Sequence, residues 1–377
     1  MAAFRVAVLG AGGTIGPAIA RDLAASEEVA EVRLLDLDES KCRAVAETIQ
    51  QGEVSIARAD ATAGAGEPDS LVGALADSDV LVNSASYRVN IEAMRASLGA
   101  GCHYLDLGGL YWMTAEQLRR FAPQGGEDEF EAAGLLAVLG IGSAPGKTNL
   151  MAKLASRELG EVEALHVSAA GRDLEPPPGF SVPYALQTLL DELTMPPVAV
   201  SDGEAIELEA MSPGGTVDFG EPIGESDTIY TLHSEMLTFP DSFGCREGSF
   251  RLSLHPGLLE RLRALAAAGA DEVARAAAEA VPPSRNTVAV HLVEAAGGGT
   301  RVRVRAVTRP VDELGAGGGV TSTAAPAPAT IRLLARGRIP ARGVHPPERC
   351  IDPDELFPEL ERRGSEFDVE VREEARA

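Results

Sequence analysis

The sequence predicts an α/β protein in which a Rossmann-type doubly wound parallel sheet is followed by a second α/β (α+β) domain with a mixed sheet. Three observations lead to this prediction. Short apolar runs alternate with segments of helical period over the first 150 residues, a glycine-rich turn follows the first run, and longer strands begin after residue 152. A chain of 377 residues also has room for two domains at about 150 residues each.

Six apolar runs in the N-terminal part predict parallel strands, because they show little alternation and so resemble strands covered on both faces. They are Arg5–Leu9, Val32–Leu37, Val54–Ala59, Val80–Asn83, Tyr104–Leu107 and Leu135–Leu139. Segments with helical spacing lie between them, and right-handed crossovers are the simplest way to join parallel strands. Residues 1–150 are therefore predicted to form a dinucleotide-binding domain.

The hydrophobic pattern changes after this region and predicts a second domain over residues 151–320. Its candidate strands are Val162–Ala170, Ile206–Leu208, Thr228–Leu232, Phe250–Leu254, Val288–Leu292 and Val302–Val307, and its candidate helices are Pro183–Leu193 and Leu258–Ala268. The proline and glycine cluster at Ser212–Gly215 is interpreted as a loop. These longer strands are typical of a mixed or antiparallel sheet.

The charge balance and the cysteines argue against several functional classes. The chain has 57 Asp and Glu residues against 33 Lys and Arg residues, and this net charge of −24 repels phosphate backbones and anionic membrane surfaces. Neither nucleic acid nor a membrane is therefore an expected partner. The four cysteines and six histidines show no metal-ligand spacing, so no metal is expected. No apolar stretch is long enough to span a bilayer, and we expect a cytoplasmic protein.

The glycine-rich turn predicts a dinucleotide site. Gly10, Gly12 and Gly16 follow the first strand and open the first helix, the context that a pyrophosphate loop requires. Their spacing, G-x-G-x-x-x-G, is one residue longer than the common fingerprint. We expect the cofactor to contact Gly10, Gly12, Gly13, Thr14 and Ile15.

The ends of the second and third strands carry carboxylates. Asp36 lies twenty residues after Gly16, where a carboxylate accepts hydrogen bonds from an adenosine ribose and repels a 2′-phosphate. NAD is therefore favoured, while the nearby Lys41 and Arg43 leave NADP possible. The alternative is that Asp36 or Asp38 caps the following helix. Asp60 either faces the adenine or caps a turn.

Three later strands end in turns of small and polar residues, which converge at the carboxyl edge of a doubly wound sheet. Asn83, Ser84 and Ala85 are predicted cofactor contacts. Tyr87, Asp106 and Lys147 are candidates for proton transfer or substrate orientation. Each has a structural alternative: a core tyrosine with a solvated hydroxyl, a carboxylate that holds a neighbouring turn, and a solvated lysine at a helix start.

Together these residues resemble the saccharopine dehydrogenase-like superfamily. The similar segments are Gly10–Gly16, Val82–Ala85 with Tyr87 and Asn90, Leu105–Gly109, Gly142–Gly146 with Asn149, Glu175–Pro178, Tyr230–His233 and Gly343–Glu348. Within the superfamily the lysine 6-dehydrogenases are the most similar. The resemblance implies a substrate domain that also makes the contacts of a homodimer or larger oligomer, and a C-terminal segment, 321–377, that returns to the first domain.

The resemblance also implies hydride exchange between a nicotinamide and a C–N bond of an amino acid or amine. An amine must be neutral to become an imine, so a base is required; His233 and Tyr87 are the candidates, with Asp106 as the orienting carboxylate. Lys147, Arg172 and Arg246 are candidate substrate ligands, the arginines for a carboxylate. His233 as a structural strand histidine is equally compatible with the sequence.

Three functions are compatible with these residues. The first is NAD-dependent oxidative deamination of the lysine 6-dehydrogenase type. The second is reductive condensation of an amine and an aldehyde, as in saccharopine reductase or carboxynorspermidine synthase. The third is a non-catalytic NAD(P)-binding protein that retains the Rossmann domain.

Overall fold

The computed structural model describes residues 3–373, which divide into two compact units. The first unit contains residues 3–150, 313–315 and 323–360. The second contains residues 151–312, 316–322 and 361–373. The predicted C-terminal segment, 321–377, is therefore shared between the units: its larger part belongs to the first, whereas the described residues after 360 belong to the second.

Strands and helices alternate through the N-terminal part and mix less regularly afterwards. The strands are β1 (Phe4–Leu9), β2 (Val29–Asp36), β3 (Val54–Arg58), β4 (Val80–Asn83), β5 (His103–Asp106), β6 (Leu136–Val138), β7 (Ala164–Asp173), β8 (Val198–Ser201), β9 (Glu204–Glu207), β10 (Pro213–Asp218), β11 (Glu225–Tyr230), β12 (Glu247–Ser253), β13 (Thr287–Gly297), β14 (Thr300–Thr308), β15 (Gly343–His345) and β16 (Ser365–Glu373).

The helices connect these strands. They are α1 (Gly16–Ala24), α2 (Glu39–Ala46), α3 (Leu71–Ala74), α4 (Asn90–Ala100), α5 (Leu110–Phe121), α6 (Glu129–Ala132), α7 (Lys147–Ser156), α8 (Leu186–Thr194), α9 (Glu235–Phe243), α10 (Pro256–Ala266), α11 (Ala270–Glu279), α12 (Gly318–Ala324), α13 (Pro326–Ala335), α14 (Pro347–Cys350) and α15 (Pro353–Glu361). A short 3-10 helix covers Tyr87–Val89.

The first unit contains a seven-stranded parallel sheet in the order β15-β6-β5-β4-β1-β2-β3. The order reverses between β1 and β4, which is the point where a doubly wound sheet binds its ligand at the carboxyl ends of the strands. All six predicted strands are present, and β15 adds a seventh from the C-terminal part of the chain. The predicted Rossmann-type fold is confirmed.

The second unit contains a nine-stranded mixed sheet, with β7 pairing parallel to β12 and antiparallel to β13. The interpretation of Ser212–Gly215 as a loop is wrong in part, because Pro213 begins β10. This strand lies at the end of the main strand order, where proline is tolerated because an outward N–H needs no ladder partner. The opposite end of that order is β16, which the sequence analysis did not predict.

The two faces of this second sheet are distinguished by side-chain alternation. Val167 pairs with Phe250 and Ala170 pairs with Ser253, so these two pairs point to opposite faces. On the face of Phe250, the neighbouring strand residues Ile229 and Leu252 pack against leucines of α8 and α10. We call this the helix-covered face, and the side of Ala170 the opposite face.

A buried ion triad joins C-terminal helices to the first helix within the first unit. Arg332 in α13 is 3% exposed and donates to Asp22 of α1 at 3.1 Å and to Glu359 of α15 at 2.9 Å. A guanidinium buried to this degree needs carboxylate partners, since an unpaired buried charge is strongly destabilising. The triad therefore holds α13 and α15 against the helix that follows the glycine-rich turn.

Candidate functional site

The glycine-rich turn between β1 and α1 packs so closely that side chains are excluded from it. Gly10 has a φ of 77°, and a Cβ there would lie 2.7 Å from the backbone of Ala85. A Cβ at Gly16 would lie 2.4 Å from the carbonyl oxygen of Gly10. The glycines at these two positions therefore allow the backbone to form a tight turn at the amino end of α1.

Several amides of this turn are available to an anion. Gly12 N–H donates to Asp36 at 3.1 Å and Gly13 N–H donates to the Gly10 carbonyl at 3.0 Å. Within residues 3–373 no hydrogen bond is recorded for the N–H groups of Thr14, Ile15 and Gly16, and α1 has no side-chain cap and no acidic residue in its first turn. Free amides at the positive end of a helix dipole suit a diphosphate, so these residues fit a dinucleotide.

Asp36 lies directly beside this turn at the end of β2. Its Oδ2 accepts from Gly12 N–H and its Oδ1 accepts from Asp38 N–H at 3.2 Å. Asp38, and not Asp36, caps α2, because its side chain accepts from Ser40 N–H at 2.9 Å. The carboxylate of Asp36 is half-buried and retains lone pairs, so a ribose is a suitable further donor.

Asp60 has the geometry of a turn cap. Its carboxylate accepts from Thr62 N–H at 2.8 Å and from the Thr62 hydroxyl at 2.7 Å. These hydrogen bonds hold the pKa of Asp60 below its ordinary value. We therefore leave Asp60 out of the proposed cofactor site.

The turn after β4 forms the other wall of the glycine-rich turn. Ser84 hydroxyl donates to the Leu9 carbonyl at 2.7 Å, and Ala85 N–H donates to the Asn83 side chain at 3.1 Å. Because Gly10 packs on the Ala85 backbone, the turn after β4 and the turn after β1 are held together. This brings the predicted residues Asn83, Ser84 and Ala85 to one edge of the sheet with Gly10.

Asp106 is the centre of a buried polar network at the same edge. Its carboxylate accepts from the N–H of Gly108 at 2.9 Å and of Gly140 at 2.7 Å, and from the side chains of Gln117 at 2.7 Å and Asn90 at 3.3 Å. Burial raises the pKa of Asp106 above its ordinary value, although these donors act in the opposite direction. The arrangement supports the alternative that Asp106 holds the turns after β5 and β6.

Sequence reasoning missed the partners in this network. Asn90 also accepts from Asn83 at 2.8 Å, so one buried chain of amides connects the turns after β4, β5 and β6. Gln117 lies in the middle of α5, and Glu348 accepts from Asn149 at 2.8 Å. The sequence signal for these residues is a polar side chain on the buried side of a helix, because a buried polar group must find a hydrogen-bond partner.

Tyr87 and Lys147 occupy different environments at this edge. Tyr87 is partly exposed in the 3-10 helix, with the guanidinium carbon of Arg88 at 5.5 Å from its ring centre. Lys147 is fully buried at the first position of α7, and burial lowers its pKa to about 7. The alternative of a solvated lysine at this helix start is therefore wrong.

In the second unit, His233 lies in a buried cluster with two carboxylates. Its ring stacks on Phe250 with centroids 3.5 Å apart, and its Nδ1 is 3.6 Å from Glu235 Oε2. Burial alone would lower the pKa of His233, but the carboxylates of Glu235 and Glu192 outweigh it and raise that pKa above its ordinary value. Tyr184 donates its hydroxyl hydrogen to Glu192, whose pKa is raised by burial. We call Tyr184, Glu192, His233 and Glu235 the acidic cluster.

The two arginines predicted to bind substrate do not lie in the acidic cluster. Arg172 donates to Ser226 and Ser253 at 2.8 Å each, and its position on β7 puts it on the opposite face, whereas His233 stacks on the helix-covered face. A single substrate cannot touch both through the sheet. Arg246 is exposed and paired with Asp202, which is typical of a surface ion pair. Neither arginine is part of the proposed site.

Residues 3–373 contain neither a cluster of metal ligands nor a helix able to span a membrane. No group of three or more His, Cys, Asp or Glu side chains is arranged to hold a metal ion in that part of the chain. No helix there is long and apolar enough to cross a membrane.

Comparison with known proteins identifies the first unit. Residues 6–138 match the family described as the saccharopine dehydrogenase NADP binding domain. The chain is 25% identical over 271 residues to carboxyaminopropylagmatine dehydrogenase from Synechocystis sp.. The aligned residues cover 70% of this chain and 66% of that relative. The match thus spans slightly less than two thirds of the relative's length.

A solved structure extends the similarity to the whole fold. Saccharopine dehydrogenase (L-Glu forming) from Saccharomyces cerevisiae has a TM-score of 0.68 at 13% identity, covering 98% of this chain and 100% of that chain. At this identity the comparison shows the fold alone. The predicted resemblance to the saccharopine dehydrogenase-like superfamily is confirmed by residues 6–138, and the glycine-rich turn belongs to an NAD(P)-binding domain.

Asp36 is expected to set the choice between the two nicotinamide cofactors. We expect Asp36→Ala to weaken NAD binding roughly ten- to hundredfold, because the charge-assisted hydrogen bond to the ribose and the anchor of Gly12 N–H are both lost. NADP binding should weaken less, since a 2′-phosphate no longer meets a carboxylate. Isothermal titration calorimetry with both cofactors measures the two changes. Asp60→Ala, which removes the same charge from the end of the next strand, is the control and should leave both affinities unchanged; equal affinities in Asp36→Ala and wild type would remove Asp36 from the site.

Proposed function

We propose that this chain, whose residues 6–138 match the saccharopine dehydrogenase NADP binding domain, is an oxidoreductase that uses NAD(P) to form or oxidise the C–N bond of a cationic secondary amine. The observation that carries the proposal is the acidic cluster, in which the buried imidazole of His233 lies 3.6 Å from Glu235 and is also influenced by the charge of Glu192. Glu235 and Glu192 raise the pKa of His233, so the cluster is an electronegative environment that favours a cation.

Two further observations support a cationic amine. The net charge of −24 creates a field that attracts cations over a long range. The relative from Synechocystis sp. is named for carboxyaminopropylagmatine, a substrate whose name denotes a secondary amine that also carries a carboxylate and the guanidinium of agmatine. A substrate of that class carries positive charge, which a cluster of carboxylates favours.

The proposed roles of the residues follow from their positions. The N–H groups of Thr14, Ile15 and Gly16 would bind the diphosphate of NAD(P), and Asp36 would orient the adenosine ribose. The bound nicotinamide supplies or accepts the hydride. In the second unit, Glu192 and Glu235 favour the protonated form of His233, a group able to exchange a proton.

The raised pKa of His233 favours its protonated imidazole, which is the form that condensation uses. When an amine adds to an aldehyde, its nitrogen forms a bond to the carbonyl carbon and the oxygen leaves as water after accepting protons. A protonated imidazole can donate one of these protons. Oxidation requires the neutral imidazole instead, and its rate should therefore increase as the pH rises through that pKa.

A second candidate function is oxidative deamination of a primary amine, as in the lysine 6-dehydrogenases. The acidic cluster favours it as well, because the ε-ammonium of lysine carries the same charge as a secondary ammonium group. The two candidates differ in the second substrate, since condensation requires an aldehyde and deamination does not.

A substrate screen with the purified full chain tests the proposal. We expect NAD(P)H to be consumed only when an amine such as agmatine and an amino-acid semialdehyde are both present, and the absorbance at the nicotinamide band measures this consumption. Reduction of NAD(P) by lysine or a diamine alone would establish the second candidate. Saturable cofactor binding with no turnover of any amine would contradict both and leave a non-catalytic binding protein.

A further inference from the structure

Trp112 is an unusual residue at the cofactor edge of the first unit. It is the only tryptophan of the chain, and 47% of it is exposed. It lies in the first turn of α5, which begins directly after the turn that Asp106 holds. Trp112 is therefore exposed near the carboxyl edge of a doubly wound sheet, which is where such sheets bind their ligands.

The ring of Trp112 is held by its neighbour. Tyr111 is 8% exposed, and the two rings meet edge to face with centroids 4.7 Å apart. The backbone that leads into the helix is also fixed in an uncommon conformation, because Leu110 has a φ of 53° and Gly108 a φ of 129°. A non-glycine residue in the left-handed region at a strand end is typical of functional positions.

The surroundings of Trp112 favour a small ligand over a protein partner. None of the other exposed large hydrophobic side chains within residues 3–373 lies on α5: they are Leu37 and Leu174, which follow β2 and β7, Ile206 on β9, and Val369 and Val371 on β16. Protein interfaces need contiguous apolar patches of several hundred Å², which one ring does not supply. A second copy of this chain would also bring another 24 negative charges.

An indole ring exposed on an acidic protein is suited to one ligand class. Trp binds cations over its ring face more strongly than the other aromatic side chains. We propose that Trp112 is a specificity-determining residue that stacks on an ammonium or guanidinium group of the substrate. This inference rests on the proposed function, because it assigns a binding residue to the cationic amine.

Fluorescence of the single tryptophan gives a direct test that does not depend on turnover. The full chain, saturated with oxidised NAD or NADP, is titrated with 1,5-diaminopentane and with 1,5-pentanediol, which has the same chain length and no charge. We expect a saturable change of the Trp112 emission with the diamine only. An equal response to both compounds, or no response to either, would overturn the proposal.

Three variants separate the cation contact from simple apolar contact. Trp112→Leu should raise the KM for the amine roughly three- to thirtyfold, while Trp112→Phe should retain most of the affinity. Cofactor affinity should stay at the wild-type value in both. Ile206→Ser removes another exposed apolar side chain, from β9 in the second unit, and is the matched control, with no expected change in KM.

The possible failures can be told apart. A wild-type KM in Trp112→Leu, with turnover intact, would reject the role of Trp112 and leave the proposed function standing. A change in oligomeric state by light scattering in that variant would identify Trp112 as an interface residue and reject the proposal. If no amine is turned over although 1,5-diaminopentane still changes the emission, the proposed function fails and the cation site remains.

Discussion

Gly16→Ala is expected to abolish measurable NAD(P) binding. The added Cβ would lie 2.4 Å from the Gly10 carbonyl oxygen and 2.7 Å from the Ala11 Cα, and both of these are backbone atoms that cannot rotate away. The turn must therefore open, and the N–H groups of Thr14, Ile15 and Gly16 lose their common direction. Because the diphosphate depends on several such donors at once, we expect at least a hundredfold loss of affinity, roughly the value of two charge-assisted hydrogen bonds.

A comparison of variants separates this effect from a general loss of folding. Gly160→Ala is the control, since a Cβ there meets nothing within 4 Å. If Gly16→Ala does not fold, Gly12→Ala serves instead, because the nearest atom to its added Cβ is the Lys41 Cβ at 2.5 Å, which lies outside the turn. Circular dichroism establishes that each variant is folded, and fluorescence titration measures its affinity. Binding of wild-type strength in a folded Gly16→Ala would show that the cofactor does not use this turn.

The parts of the fold that the sequence predicted are those that local patterns determine. The turn from Gly10 to Gly16 needs glycine because of contacts within a few residues and with one neighbouring turn. The strands β4 and β6 are buried along their whole length, so each is visible as a short apolar run. By contrast, β16 alternates charged residues with Val369 and Val371, and its pairing with β14 links segments about 65 residues apart.

The parts of the site that the sequence could not assign depend on the register of distant strands. His233 and Arg172 both belong to the second unit, and the sequence alone does not show whether their side chains lie on the same face of its sheet. Only the pairing of β7 with β12 places them on opposite faces. Similarly, Asp106 was a plausible catalytic carboxylate until its four donors were located, because two of them come from Gly140 and Gln117, which are distant in sequence.

The second large effect is expected at Lys147, where removal of the side-chain charge should change the free energy of unfolding by an amount that depends on pH. The side chain is fully buried, and burial lowers its pKa to about 7 from an ordinary value of 10.5. Below pH 7 the folded protein must hold a buried ammonium group. Between pH 7 and about 10.5 the unfolded chain binds this proton and the folded protein does not, so the free energy of unfolding increases with pH.

We expect Lys147→Met, which keeps the length of the side chain and removes the charge, to stabilise the protein most at and below pH 7. The gain should be about 3–5 kcal/mol there, by the free-energy equivalent of a pKa shift, and should decrease steadily toward pH 10. Urea denaturation of both proteins at pH 6, 7, 8, 9 and 10 measures the difference.

Lys41→Met is the matched control, because Lys41 is exposed and its ammonium group is solvated in both states, so its stability difference should have no such slope. If Lys147 makes a hydrogen bond, its loss in Lys147→Met changes the free energy of unfolding by a constant amount. The dependence of the stability difference on pH is then unchanged. A difference between Lys147→Met and wild type that is independent of pH would contradict a neutral lysine at this position. A stability gain that decreases as the pH rises would mean that the Lys147 amine is uncharged near neutral pH. This amine lies in the unit that holds NAD(P), at the edge of the sheet where Asp106 orders the turns.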